Sequence, residues 1–228
     1  MLKKVGRVIV KTILWFLGLS ILSVIIFRFV PIPFTPLMLL RCIQQKADGK
    51  SMQLHKDWVS LEEMSPAMPM AAIAAEDQNF EEHFGFDMKA IEKAEKYNSK
   101  HKGKRLKGAS TISQQTAKNV FLWPNRSWIR KGFEVYFTFL IEIFWSKRRI
   151  MEVYLNIIEM GDGIYGIEAA SQHYFHKPAS KLSVKESALI AAIFPNPLKW
   201  SPVYPDSRVS SKAGRITHFM SQLKLEDF

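Results

Sequence analysis

At 228 residues the chain has room for one sizeable core, or one core with a lobe, and little room for two independent catalytic domains. Its 32 Lys and Arg against 21 Asp and Glu leave a formal charge of +11, which implies an anionic partner: nucleic acid, a membrane surface or a phosphate-bearing substrate. The single cysteine, Cys42, excludes an internal disulfide and any zinc-finger spacing.

The N-terminus carries Lys3, Lys4, Arg7 and Lys11 and then runs from Thr12 to Phe27 without a charge. Lys11 and Arg28 can snorkel, and Val8 to Val10 and Phe29 to Val30 lengthen the apolar stretch, so a single transmembrane helix is expected over residues 1–30. A cleaved signal peptide would need a small-residue site, and Phe27-Arg28-Phe29-Val30-Pro31 stands there instead. The basic cluster before the span orients the N-terminus inward and the rest of the chain outside the cytoplasm. Pro31-Ile32-Pro33 cannot continue a helix, so 31–60 reads as a membrane exit and polar linker, and 61–228 as the globular domain.

From Leu61 the pattern is mainly helical. Ser65-Pro66 heads the small-residue run Met70-Ala71-Ala72-Ile73-Ala74-Ala75, which leads directly into Glu76 and the stretch EDQNFEEHFG at 76–85. If the helix continues, Glu76, Phe80 and His83 share one face, and Gly85 ends the turn. Glu76 is then either a catalytic acid or base at a cleft or an ordinary solvated acid at a helix end. A second helix is expected over Asp87 to Lys96, followed by a cationic loop to Lys107, either solvated or closing over a polyanion.

Gly108-Ala109-Ser110-Thr111 enters a further helix with a capped N-terminus whose amides suit an anion. Gln115 and Lys118, three residues apart, should share a side. Walker spacing is absent. Arg126, Arg130 and Lys131 precede Glu134 on a long aromatic helix, and a carboxylate on so apolar a helix needs a cationic partner from Lys118, Arg126, Arg130 or Lys131. Lys147 to Asn156 repeats the amphipathic pattern, Glu159 to Gly166 is a turn-rich connector, and Ile167 to Phe175 returns to helix. Ser183 and Glu186 have capping-box spacing before the stop at Pro195-Asn196-Pro197, and Arg208 to Lys224 forms a last helix. No strand is expected and no internal repeat is present.

In order, EDQNFEEHFG, GASTISQQTAKN, RKGFE, KRRIMEVYLN with GDGIYGIEAASQHYFHK, and ESALIAAIFPNP resemble the motifs of the peptidoglycan glycosyltransferases of family 51, in the form of a free-standing monofunctional enzyme. The resemblance covers about residues 60 to 200. It implies a mainly α, lysozyme-like body with a small membrane-facing jaw, on a single-pass anchor in the bacterial inner membrane, with the catalytic domain on the periplasmic side.

It also implies the reaction: polymerisation of lipid II into β-1,4-linked glycan with release of undecaprenyl diphosphate. By the same resemblance, Glu76 is the general base and Glu134 the second acid, which holds either a divalent cation (Mg or Mn) or the surrounding basic residues. Lys118, Arg126 and Arg130 bind the diphosphate, and Ser110, Gln115 and Asn119 line the same side. Ala109 stands where the family usually has glycine, a mild departure. The implied partners are lipid II and its glycan products, the membrane and cell-wall or division proteins, with no nucleic acid.

The chemistry agrees with that implication: a hydroxyl acceptor wants a carboxylate base, and a diphosphate leaving group wants fixed positive charge. Two rival readings remain open at this point. A membrane-bound lytic transglycosylase or muramidase would use a glutamate but needs no diphosphate cluster. A tethered cell-wall scaffold would explain charge and anchor, but not the placement of Glu76 and Glu134. For His83 a structural hydrogen bond is favoured over proton transfer.

Overall fold

The computed structural model describes residues 2–101, 107–125 and 127–223, Leu2 by its backbone only. Helix α1 (Leu2–Phe29) is the one helix among the described residues that is long and apolar enough to cross a membrane. Its second half is bound to the body. Ser20 Oγ lies 2.7 Å from the Tyr136 hydroxyl, Trp145 Nε1 donates to Val24 O at 2.7 Å, and Phe16 packs on Phe133 and Tyr136. The Arg149 guanidinium donates to Phe27 O and Val30 O at 2.9 and 2.8 Å, which satisfies carbonyls that a helix C-terminus leaves unpaired.

After the prolines, Thr35 caps α2 (Pro36–Ala47). The stretch expected as a linker is tied down along its length. His55 exchanges backbone bonds with Gly163 and Tyr165, Lys56 Nζ donates to Ile32 O, and buried Asn156 bonds both backbone groups of Val59. Except for Ile32, these partners lie about a hundred residues away in sequence, so local composition carries no trace of them.

Helix α3 (Ala67–Glu76) is apolar on all sides, and its small residues let α9 (Val184–Ile193) and α10 (Ser207–Met220) pack against it. Beside them α5 (Ile112–Phe121) lies against α6 (Trp128–Phe144) and α7 (Lys147–Ile157). The Ser183–Glu186 capping box forms as expected. Helix α4 (Met88–Lys100), capped by Asp87, stands further out with Ala94 as its one buried residue. The last helix ends at Met220, and Lys224 lies outside the described residues.

One expectation fails outright. The connector at 159–166 contains a small antiparallel hairpin, β1 (Glu159–Gly161) and β2 (Ile164–Tyr165), leading into α8 (Ile167–Phe175). Strands this short show no periodicity. The turn between them requires glycine at Gly163, with φ +70°, and the exit from β2 requires it at Gly166, with φ +80°, where a Cβ would lie 2.7 Å from Asn156 O.

The outer face of α6 stays apolar and exposed. Trp128, Val135, Phe139 and Ile143 recur at helical spacing, and Phe84 meets Phe139 edge to face. This face adjoins the side of α6 that receives α1.

Candidate active site

Glu76 is the last residue of α3. Asp77 leaves the helical region (φ −158°, ψ 79°), so 76–85 is not one continuous helix, and Glu76, Phe80 and His83 do not share a helical face. The reason is that the Asp77 carboxylate is already engaged. It accepts from Ile112 N at 3.0 Å and from His83 Nε2 at 2.9 and 3.0 Å. His83 is therefore held by an acid next in sequence to Glu76, a structural bond of the kind favoured from sequence. Gly85 takes φ +75° where a Cβ would lie 2.8 Å from Thr138 Cγ2.

The N-terminus of α5 carries the Thr111–Gln114 capping box, and Thr111 Oγ1 also donates to Gly85 O at 2.7 Å. Its amides were expected to suit an external anion. Asp77 and the Thr111 hydroxyl take those of Ile112 and Gln114, so α5 is anchored to the turn that follows Glu76.

Glu76 lines an open cleft of about 580 Å³, together with Ser110 and Gln115. Gln115 Nε2 donates to Glu76 Oε2 at 3.0 Å, and the Tyr154 hydroxyl donates to Gln115 Oε1 at 3.4 Å. Burial, then the charges of Glu76 and Asp77, push Tyr154 well above its ordinary 10.0, so it stays a neutral donor that orients the Gln115 amide. On the other oxygen, Lys212 Nζ stands 3.7 Å from Glu76 Oε1. Burial lowers the Lys212 pKa, opposed by Glu76. Sequence reading missed Lys212; it lies in α10, 136 residues beyond Glu76, and nothing local distinguishes it from other basic residues of that helix.

The remaining predicted residues lie further along α5 and in α6. Lys118 and Asn119 line a smaller groove with Leu37, Leu122 and Pro124, so Asn119 is in a different recess from Ser110 and Gln115, and Gln115 and Lys118 face different recesses. Glu134 is buried and accepts from Arg130 Nη1 at 2.7 Å and Lys131 Nζ at 2.5 Å. Lys118 lies within electrostatic reach of this group. Burial lowers its pKa, Glu134 raises it, Arg130 and Lys131 lower it further, and Glu76 raises it. Arg126 lies outside the described residues.

Three cations thus surround one buried carboxylate, an arrangement that keeps net positive charge available to an anion. At Glu134 a divalent cation would meet the positive charges of Arg130 and Lys131, which already hold both oxygens. Among the described residues no group of three His, Cys, Asp or Glu side chains converges to hold a metal. The site offers a carboxylate on α3 in an open cleft, bridged by Gln115 of α5 to Lys118 one turn along that helix and so to the cations around Glu134 on α6.

The transglycosylase family matches residues 44–221. A protein of Bacteroides thetaiotaomicron named biosynthetic peptidoglycan transglycosylase is 53% identical over 220 residues, 96% of this chain and 88% of its own length. One of the same name from Bdellovibrio bacteriovorus is 54% identical over 208 residues, 91% and 82% of the two chains. Another, from Pseudomonas syringae pv. syringae, is 46% identical over 228 residues, 100% and 96%.

Proposed function

The chain belongs to the transglycosylase family, and from that membership we propose that it polymerises lipid II into glycan strands at the outer face of the bacterial inner membrane. It is a peptidoglycan transglycosylase with the mainly helical, lysozyme-like body of that family. One observation carries the finer reading: Glu76 faces an open cleft, while α5 leads from Gln115 beside it to the Lys118–Arg130–Lys131 cluster.

In the proposed reaction, Glu76 takes the proton of the acceptor's 4-hydroxyl as that oxygen attacks the donor's anomeric carbon. The bond to the diphosphate breaks with inversion, and the electron pair leaves with undecaprenyl diphosphate. Charge develops on that leaving group, where Lys118 and Arg130 supply fixed positive charge in a partly desolvated site. Glu134 holds Arg130 and Lys131 in place. The anchor α1 and the exposed apolar face of α6 would keep the body on the bilayer with its lipid-linked substrate, which raises their effective concentration.

The geometry does not favour hydrolysis. Glycoside hydrolysis commonly employs two carboxylates flanking the bond, but Glu134 is buried between two cations and Asp77 is bound to His83 and Ile112 N. The test is incubation of the detergent-solubilised protein with labelled lipid II, with products separated by length. Polymer and released undecaprenyl diphosphate support the proposal; shortening of preformed glycan without polymerisation replaces it with the lytic reading, and neither activity leaves a scaffold.

Lys118→Ala is expected to raise the KM for lipid II and to slow turnover together, since the ammonium meets the diphosphate both bound and leaving. Because burial holds the Lys118 pKa below the ordinary 10.5, donor binding should weaken as pH rises at lower pH than an exposed lysine would allow. Lys118→Arg should abolish that alkaline weakening, and unchanged kinetics in Lys118→Ala would remove this residue from the donor site. Lys212 acts as a positioning residue: Lys212→Met should lower kcat about tenfold, the equivalent of one charge-assisted contact, with KM little changed. Partial rescue by Lys212→Arg checks the assignment, and full activity in Lys212→Met would overturn it.

A further inference from the structure

We propose that Lys93 and Lys107 form a second anion subsite on the outer wall of the Glu76 cleft, which takes the carboxylates of the peptide carried by the substrate. The inference rests on the polymerase reading above. The wall is α4, and it is fixed at both ends. At its start, Asp87 Oδ1 accepts from Ala90 N and Asp87 Oδ2 from Asn79 Nδ2, both at 2.8 Å, beside the turn that follows Glu76. At its far end, Asn98 bonds the backbone of Lys107 in both directions: Lys107 N donates to Asn98 Oδ1 at 2.7 Å, and Asn98 Nδ2 donates to Lys107 O at 3.1 Å. The end of the cationic loop is thereby held against α4, and Lys107 lines the cleft with Lys93. Ala90, three residues before Lys93 and so on the same side of the helix, also lines the cleft and leaves room there.

The acids that line the cleft are committed elsewhere, Glu76 itself to Gln115 and Lys212. Asp87 caps α4 and Asp77 holds His83 and α5, while Glu92, which precedes Lys93, pairs with Lys96 at 2.5 Å. Among the described residues no ion pair joins Lys93 or Lys107 to an acid. Positive charge is therefore presented at a cleft mouth without an internal partner. The diphosphate has its own cluster at Lys118, in the last turn of α5, and Arg130 on α6, so this pair is left for a different anion. A disaccharide whose reacting hydroxyl lies at Glu76 must carry its peptide outward, and the free carboxylates of that peptide are the anions it would bring to this wall.

The test compares two forms of lipid II, one with free peptide carboxylates and one with them amidated; both carry the same diphosphate, so the comparison is blind to it. Wild-type protein should use the free form with a kcat/KM about three- to tenfold higher, as expected for two exposed charge pairs. In the K93A/K107A double variant, both positions being exposed, the preference should fall to about one, and raised salt should erode it in the wild type. A wild type without preference, or a double variant that keeps it, overturns the subsite. Failure of the wild type to polymerise either form would instead overturn the polymerase reading.

Discussion

Glu76→Gln is expected to lower polymerisation of lipid II by 10²-fold or more while leaving folding and substrate binding nearly intact. The substitution keeps shape and keeps an oxygen for Gln115 Nε2, which donates to Glu76 at 3.0 Å, but it removes the ability to take a proton. A positioned general base contributes about 10² to 10⁴ in rate, and that is the loss to look for in single-turnover kinetics. Glu76 is half-buried at a helix end rather than in the core, so the melting temperature should stay near that of the wild type. Turnover at the wild-type rate would remove Glu76 from the mechanism, however well the rest of the site survived.

The second large effect is on stability. Glu134→Ala leaves Arg130, which is only 9% exposed, without its carboxylate, and Lys131 without its 2.5 Å partner. Lys131 can turn to water; Arg130 cannot do so without moving α6. Breaking a buried pair from one side costs about 3–5 kcal/mol, which in a domain of this size lowers the melting temperature on the order of 10 °C. Polymerisation should fall as well, because Arg130 loses the group that aims it. Glu134→Gln, which keeps an acceptor for Arg130, should recover part of the stability. A melting temperature and turnover both unchanged in Glu134→Ala would show that neither the fold nor the diphosphate cluster depends on this pair.

Much of the site was legible because its parts are local. The small-residue run ending at Glu76, the capped start of α5 and the Arg130-to-Glu134 spacing each fall within a few turns, where helical periodicity and capping chemistry act directly. The anchor was legible for the same reason, as an uninterrupted apolar run. Sequence alone thus determined most of the helices, though not α2, together with the positions of the two acids and the set of cations from which the buried one draws its partners.

Tertiary structure decided what each group touches. Asp77 ended the helix at Glu76 because Ile112 N and His83 compete for its carboxylate from 35 residues ahead and from the following turn. Lys212 came to Glu76 because α10 packs on α3. The stretch at 46–60 acquired order from Asn156 and the hairpin at 159–165, and α5 divided Gln115 from Lys118 between two recesses. In each case the deciding partner is distant along the chain, and only the burial of the common core brings it within hydrogen-bonding or ionic reach.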